Sequence, residues 1–124
     1  MNKIKILVAE DNQINQLLMK VILKNNNYDF VIVENGLLAC EELKSKPNYY
    51  SVILMDLMMP VMNGYKATEE IRKNINNKIP IIAVTADVTS NIKEKCLNTG
   101  MNDYIAKPFE SIELINIITK NIKQ

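Results

Sequence analysis

Five short apolar runs rich in Ile and Val are spaced along the chain, and each predicts a β-strand. The runs lack the alternation of apolar and polar positions that marks a sheet with one solvated face. Continuous apolar character of this kind is typical of strands that are buried on both faces. The predicted strands are residues 5–9, 30–34, 52–56, 81–85 and 104–106.

Stretches with helical periodicity follow these runs and predict five helices, at residues 12–24, 37–44, 65–74, 91–99 and 111–123. In the first stretch, apolar side chains recur at i, i+3, i+4, i+7 and i+8, as on the apolar stripe of an amphipathic helix. That stripe consists of Ile14, Leu17, Leu18, Val21 and Ile22. The positions of glycine and proline agree with these elements, since Gly100 has the C′ position after the fourth helix and Pro80 precedes the fourth strand.

The alternation of five strands with five helices predicts a parallel sheet covered by helices on both faces. Right-handed crossovers then produce a doubly wound α/β sheet of the flavodoxin type, a (βα)5 fold with strand order 2-1-3-4-5. At 124 residues the chain has the length of one domain, and no repeat or Pro-rich linker divides it. Ligands of such sheets bind beyond the carboxyl ends of the strands, so the residues there are the candidates for a functional site.

The carboxyl ends of four predicted strands carry side chains of complementary chemistry. Three carboxylates at one edge repel each other at neutral pH unless a cation lies among them, and an oxygen-only ligand set favours Mg²⁺. An ammonium and a hydroxyl beside that cation suit a phosphoryl dianion, which a central carboxylate can accept as an aspartyl phosphate. The residues are Glu10, Asp11, Asp56, Thr85, Ala86, Lys107 and Pro108.

Each of these residues also has an ordinary structural interpretation. An acidic pair before a helix is commonly an N-terminal cap, and an Asp or a Lys-Pro pair after a strand is commonly part of a turn. Their joint placement at the strand ends of one sheet favours the functional interpretation. A nucleotide cofactor is disfavoured, because the loop Glu10-Asp11-Asn12 after the first strand is acidic and has no glycine to approach a phosphate.

Composition excludes several classes of function. The chain has 15 Lys and Arg against 14 Asp and Glu, so its net charge of +1 provides no field for attracting nucleic acid or an anionic membrane. It contains no His, which excludes catalytic triads with His and phosphohistidine chemistry by the chain itself. Cys40 and Cys96 are typical of buried cysteines in a cytoplasmic protein, and the apolar start is too short for a signal peptide or a membrane span.

Four stretches of the chain match a known family in order and spacing. They read ILVAEDNQINQ, ILMDLMMPVMNGY, IPIIAVTAD and GMNDYIAKPF. On these stretches the chain resembles the receiver domain of two-component response regulators over essentially all of residues 1–124. The resemblance implies that Asp56 is the phosphoacceptor. It also implies that Asp11, Asp56 and the backbone carbonyl of Met58 bind Mg²⁺ directly, while Glu10 acts mainly through water.

The same resemblance assigns roles to the remaining strand-end residues. Lys107 would bind the phosphoryl group, and Thr85 with the Ala86 amide would receive its oxygens once the loop closes. Tyr104 matches an aromatic switch that turns inward as Thr85 moves. The family also has a cis bond before the proline that matches Pro108.

Because the chain lacks His, the phosphoryl donor must be external. It would be a phosphohistidine on a histidine kinase or a histidine phosphotransfer domain, or a small acyl phosphate. The domain's own chemistry would be self-phosphorylation and self-dephosphorylation, and Met58 predicts a slow loss of the phosphoryl group because it cannot orient water. Phosphoryl contacts would favour a closed state and alter a face that an output protein contacts.

The first two matching stretches most resemble receivers at the C-terminus of hybrid sensor histidine kinases. The chain is therefore interpreted as a fragment of such a kinase, cytoplasmic even where the kinase is membrane-bound, with a free-standing single-domain regulator as the alternative. A Mg²⁺-dependent phosphatase of the haloacid-dehalogenase kind is a remote alternative, because its nucleophile would end the first strand. A receiver-like module that never accepts phosphate has no support, because the whole phosphorylation set is present.

Overall fold

The computed structural model describes residues 4–87 and 89–122, which form a five-stranded parallel sheet with helices on both faces. The strand order is β2-β1-β3-β4-β5, which confirms the doubly wound topology predicted from the sequence. The strands are β1 (Lys5–Ala9), β2 (Asp29–Val33), β3 (Val52–Asp56), β4 (Ile81–Thr85) and β5 (Asp103–Ala106). The bounds of β1, β3 and β4 agree with the prediction, β2 begins and ends one residue earlier than predicted, and β5 begins one residue earlier.

The helices follow the strands in the predicted order. They are α1 (Gln13–Asn25), α2 (Gly36–Ser45), α3 (Gly64–Glu70), α4 (Ile92–Thr99) and α5 (Ser111–Ile122), and α3 continues into a π-helical turn at Ile71–Ile75. Gly100 ends α4 with a left-handed φ of 115°, as its predicted C′ position requires. No helix among the described residues combines the length and apolar character that a membrane span requires.

Asparagine side chains begin three of the helices at the carboxyl edge of the sheet. The side chains of Asn12, Asn35 and Asn63 each accept a hydrogen bond from the backbone N–H three residues later, at 2.9–3.0 Å. Such a cap satisfies one of the N–H groups that the first turn of a helix leaves without a partner. The three caps therefore position the starts of α1, α2 and α3 next to the strand ends.

The sheet separates two apolar cores. On one face, β-strand residues pack against α2, α3 and α4 through Ala39, Leu43, Ala67, Ile92 and Cys96. On the other face, the alternate strand residues pack against α1 and α5 through Met19, Ile22, Leu23, Leu114 and Ile118. Strands β3 and β4 are buried at every position, which explains their uninterrupted apolar sequence.

The apolar stripe predicted for α1 is not the face that packs on the sheet. Ile22 is the one member of the stripe that is buried, and it packs together with Met19 and Leu23. The other four members are exposed, with Ile14 at 79% and Leu17 at 62%. We call these four residues the α1 apolar face: Ile14, Leu17, Leu18 and Val21.

The two ends of the described chain lie together at the amino edge of the sheet. Ile4, which precedes β1, and Ile122, which ends α5, line the same cavity. Pro80, Asn102 and Leu97 also contribute to its wall. This edge is the one opposite to the carboxyl ends of the strands.

Candidate functional site

Three carboxylates meet at the carboxyl edge of the sheet, where the sequence places them. Glu10 and Asp11 follow β1, Asp56 ends β3, and an oxygen atom of each lies within 4.8 Å of the others. Glu10 is 1% exposed and Asp56 is 7% exposed, whereas Asp11 is open to solvent. The parallel register aligns these strand ends, since Ala9 is paired with Met55.

Lys107, just after β5, reaches across the sheet edge to this cluster. Its Nζ atom donates to Oε1 of Glu10 at 2.9 Å and to Oδ2 of Asp56 at 3.3 Å. Burial alone would lower the pKa of Lys107, but the hydrogen bond to Glu10 and the charges of both carboxylates raise it. The ammonium is therefore held in its charged form between two buried acids.

The carboxyl group of Asp56 is unusually basic for an aspartate. Burial and the negative charge of Glu10 raise its pKa to about 6, although Lys107 and a hydrogen bond from the Met58 N–H lower it. That hydrogen bond joins Met58 N to Oδ1 of Asp56 at 3.2 Å. The ammonium of Lys107 thus does not offset the combined effect of burial and of the Glu10 charge, and a further cation would stabilise the ionised form of Asp56.

The residues on β4 and β5 lie at the same edge. Thr85 is 2% exposed, its hydroxyl accepts a hydrogen bond from the Asp87 N–H at 2.9 Å, and its carbonyl accepts from the Lys107 N–H at 2.7 Å. Ala86 is exposed beside it, and Tyr104 is half-buried against the core that contains α4. The Lys107–Pro108 bond is cis, as the resemblance implies.

Gly64 determines how closely α3 approaches the cluster. A Cβ atom at this position would lie 2.3 Å from the backbone oxygen of Asp56, so no larger residue fits without moving the loop. The Gly64 N–H also donates to the carbonyl of Leu57 at 2.9 Å. Met58, in the loop between Leu57 and Gly64, is 72% exposed and therefore lies on the surface and not in the core.

The same loop contains a strained turn that sequence reasoning did not predict. Val61 has a positive φ of 69°, and the Met62 N–H donates to the Pro60 carbonyl at 2.7 Å. A hydrogen bond between residues i and i+2 around a positive φ is the rare and strained form of the γ-turn, and it is unusual for a β-branched residue. The Val61 side chain is 77% exposed, and Met58 in the same loop is 72% exposed.

The donor set fits a hard divalent cation. All three nearby acids offer oxygen, one of them is open to solvent, and the described residues add no sulfur or imidazole ligand to the group. Mg²⁺ is bound in this way, by few carboxylates and several waters. Burial and the nearby charge of Glu10 raise the pKa of Asp56, and the charge of such a cation would oppose both effects.

Comparison with known proteins identifies the family. The family model for the response regulator receiver domain matches residues 6–119. Hybrid signal transduction histidine kinase I of Dictyostelium discoideum is 42% identical over 95% of the chain, and the osmosensing histidine protein kinase SLN1 of Saccharomyces cerevisiae is 39% identical over 94%. The chain belongs to the response regulator receiver domain family. It spans 7% and 10% of the lengths of these two kinases.

Solved structures agree with this assignment. The receiver domain of a sensor histidine kinase from Pseudomonas aeruginosa is 39% identical, with a TM-score of 0.90 over 99% of this chain and 100% of that one. That structure has a magnesium ion coordinated in its active site cleft. The receiver domain of the S. cerevisiae response regulator Ssk1, crystallised with a histidine phosphotransfer protein, is 31% identical, with a TM-score of 0.85 over 96% of this chain and 88% of that one.

Proposed function

We propose that the domain accepts a phosphoryl group on the carboxylate of Asp56 from a phosphohistidine of another protein or of another domain. The observation that supports this most is the contact of the buried Asp56 carboxylate with the Lys107 ammonium at 3.3 Å, within a cluster of acids that suits Mg²⁺. An Asp56 oxygen attacks phosphorus, the phosphorus–nitrogen bond breaks, and its electron pair stays on the imidazole of the donor. The in-line transfer requires positioning and charge neutralisation more than covalent assistance.

The other site residues would share the charge of the phosphoryl group. Lys107 already contacts the acceptor oxygen, so it can follow the developing charge without a large movement. Thr85 and the Ala86 N–H lie at the carboxyl end of β4, next to β3. They would bind phosphoryl oxygens once the hydrogen bond from the Asp87 N–H to the Thr85 hydroxyl is broken.

The three acids of the cluster would hold the metal ion. Glu10, Asp11, Asp56 and the backbone carbonyl of Met58 are the residues we assign to Mg²⁺. When bound, Mg²⁺ supplies positive charge that offsets the repulsion between the acids and the incoming phosphoryl group.

Phosphorylation by acetyl phosphate tests the assignment of the acceptor. With Mg²⁺ present, intact-protein mass spectrometry should detect one added phosphoryl group on the parent and none on Asp56→Asn. Asp29→Asn is the matched control, because it makes the same substitution at the start of β2, on the opposite edge of the sheet. Phosphorylation of the Asp56 variant at the parent's rate would contradict the proposal.

The α1 apolar face is the surface on which we place the phosphohistidine donor. It begins three residues after Asp11, and Met58 and Val61, in the loop that follows Asp56, are exposed apolar residues as well. A donor that delivers a phosphoryl group to Asp56 must cover this surface, and burial of such an apolar patch would favour the complex. The relative crystallised with a histidine phosphotransfer protein supports a phosphodonor of that class.

A charge introduced into this face tests the docking surface. Leu17→Lys should slow transfer from a phosphorylated histidine phosphotransfer domain by tenfold or more, while phosphorylation by acetyl phosphate stays unchanged because the small donor needs no docking surface. Leu97→Lys is the control, since Leu97 is 48% exposed and lines the cavity at the amino edge. Equal transfer rates for the parent and Leu17→Lys would remove the α1 apolar face from the proposal.

We also infer that the domain works within a hybrid sensor histidine kinase, in the cytoplasm, with a free-standing regulator as the alternative. The curated relatives that support this are hybrid kinases of which the chain covers a small part. A phosphatase of the haloacid-dehalogenase kind gains no support, because Asp56 ends β3 and not β1. The output would be a shift toward a closed state in which Thr85 moves and Tyr104 turns inward, altering the α4–β5–α5 face for a partner protein and not for nucleic acid.

A further inference from the structure

Asp11 is held in place differently from the other two acids. Glu10 and Asp56 are buried and share the Lys107 ammonium, and Oε2 of Glu10 also accepts the Asn12 N–H at 3.1 Å. Within residues 4–87 and 89–122, the carboxylate of Asp11 has no hydrogen bond or ion pair. Its position therefore depends on the backbone of the short segment that links β1 to α1.

Gln16, in the first turns of α1, holds both ends of this segment. Its side-chain Nε2 donates to the backbone carbonyl of Glu10 at 2.6 Å, and its backbone N–H donates to the carbonyl of Asn12 at 2.9 Å. The first of these bonds fixes the peptide plane that connects Glu10 to Asp11. The second belongs to the helix and fixes the residue that follows Asp11.

We propose that Gln16 is a positioning residue that orients the Asp11 carboxylate toward the Mg²⁺ site. This inference rests on the proposed function, because it assigns a purpose to the geometry of the metal ligands. Groups that hold the ligands of a metal site, without touching the metal, commonly change metal affinity by 10- to 100-fold when they are replaced. Gln16 acts through the Glu10–Asp11 peptide and not by contact with the ion.

Two substitutions separate positioning from charge. Gln16→Leu removes the hydrogen-bond donor and keeps a side chain of similar size. Gln16→Glu keeps the shape, also removes the donor, and adds a negative charge near the cation. If Gln16 acts by positioning, both variants should bind Mg²⁺ about tenfold more weakly than the parent; if only local charge matters, Gln16→Glu should bind more tightly.

The measurement is isothermal titration of the unphosphorylated domain with MgCl₂ at pH 7.5. Gln13→Leu is the matched control, because Gln13 is exposed on the same turn of α1, and its Mg²⁺ affinity should equal that of the parent. Circular dichroism in EDTA at the titration temperature, where each variant must be fully folded, separates lost positioning from lost structure. Nuclear magnetic resonance adds a local readout, because the shift that Mg²⁺ induces at the Asp11 amide should shrink in both Gln16 variants.

Parental Mg²⁺ affinity in Gln16→Leu, or tighter binding in Gln16→Glu, would overturn the inference, as would a parent that does not bind Mg²⁺. No phosphoryl donor enters this titration, so its outcome is separate from that of the proposed function. A parent that binds Mg²⁺ but is not phosphorylated on Asp56 would refute the phosphoacceptor assignment and leave the role of Gln16 standing. If the parent is phosphorylated on Asp56 but Gln16→Leu binds Mg²⁺ as tightly as the parent does, the phosphoacceptor assignment stands and the role of Gln16 is refuted.

Discussion

Replacement of Asp56 by Asn is expected to make the metal-free domain more stable, although it removes the proposed phosphoacceptor. Asp56 is buried, and one of its carboxylate oxygens lies within 4.8 Å of an oxygen of the buried Glu10. Burial and the charge of Glu10 raise the pKa of Asp56, and the opposing effects of Lys107 and the Met58 N–H do not cancel the rise. The ionised side chain therefore destabilises the folded state when no metal is bound.

The magnitude follows from the pKa. The pKa of Asp56 rises from 3.8 to about 6, and a tenfold change in a protonation equilibrium corresponds to about 1.4 kcal/mol. Above pH 6 the ionised carboxylate therefore lowers the free energy of unfolding by roughly 3 kcal/mol. Asn keeps a side-chain oxygen that can accept the Met58 N–H and carries no charge, so Asp56→Asn should gain about 2 to 3 kcal/mol at pH 7.5.

The gain has a defined dependence on pH. Well below the unfolded pKa of 3.8, the carboxyl group is protonated in both states, and its charge has no effect on stability. As the pH rises from 3.8 to about 6, the unfolded chain loses this proton before the folded chain does, so the parent becomes less stable relative to the variant. Above that range both states are ionised, and the difference stays constant.

Urea unfolding in EDTA, followed by circular dichroism, measures the difference at each pH. The gain should be about 2 to 3 kcal/mol at pH 7.5 and under about 1 kcal/mol at pH 4.0. Asp11→Asn is the control, because this acid is solvent-exposed and its replacement should change stability by no more than about 0.5 kcal/mol. An Asp56→Asn variant no more stable than the parent at pH 7.5, or a gain of equal size at both pH values, would refute the electrostatic reasoning.

Three further predictions concern the same edge of the sheet. Lys107→Met leaves the buried Glu10 without its ion-pair partner and should destabilise the metal-free domain by about 3 kcal/mol in urea unfolding; an unchanged midpoint would contradict this. Val61→Asn should raise the free energy of unfolding by about 1 kcal/mol, because Asn tolerates a φ of 69° better than a β-branched residue, and a loss of stability would show that the turn is not strained. The phosphorylated parent should lose phosphate more slowly than phosphorylated Met58→Asn, measured as decay after removal of the donor; faster decay in the parent would disprove the role of Met58.

The strands were predictable to the extent that they are buried. β1, β3 and β4 lie inside the sheet and are apolar at almost every position, so their bounds are visible in the sequence. β2 and β5 are the edge strands, and each begins with an aspartate, Asp29 and Asp103, that a search for apolar runs excludes. The first residue of each edge strand was missed for this reason.

The α1 stripe shows why periodicity alone does not identify the buried face. Helical spacing shows that apolar residues share a side of the helix, but it does not say what covers that side. In α1, Met19, Ile22 and Leu23 pack on the sheet, while Ile14 and Leu17 face solvent. A helix with a core face and an exposed apolar face has an ambiguous pattern, and in α1 the longer apolar stripe is exposed except at Ile22.

The ends of strands in a parallel sheet meet at one edge, so the sequence predicted that Glu10, Asp56 and Lys107 come together. The hydrogen bond from Gln16 to the Glu10 carbonyl and the positive φ of Val61 depend on loop conformations that no spacing rule describes. The hydrogen bond from the Asp87 N–H to the Thr85 hydroxyl could not be predicted for the same reason. The charged residues of the site could therefore be identified from the sequence, whereas the residues that position them through loop contacts could not.

The meeting of Ile4 and Ile122 at the amino edge has a practical consequence for attachment. A linker, an affinity tag or a solid support that continues from Ile4 or Ile122 starts on the side of the sheet away from Asp56. Such a tether would raise the local concentration of a covalently linked donor domain without passing over the acidic cluster. The same arrangement would suit immobilisation through a tether that continues from Ile4 or Ile122, with the edge that carries Asp56 facing the solution.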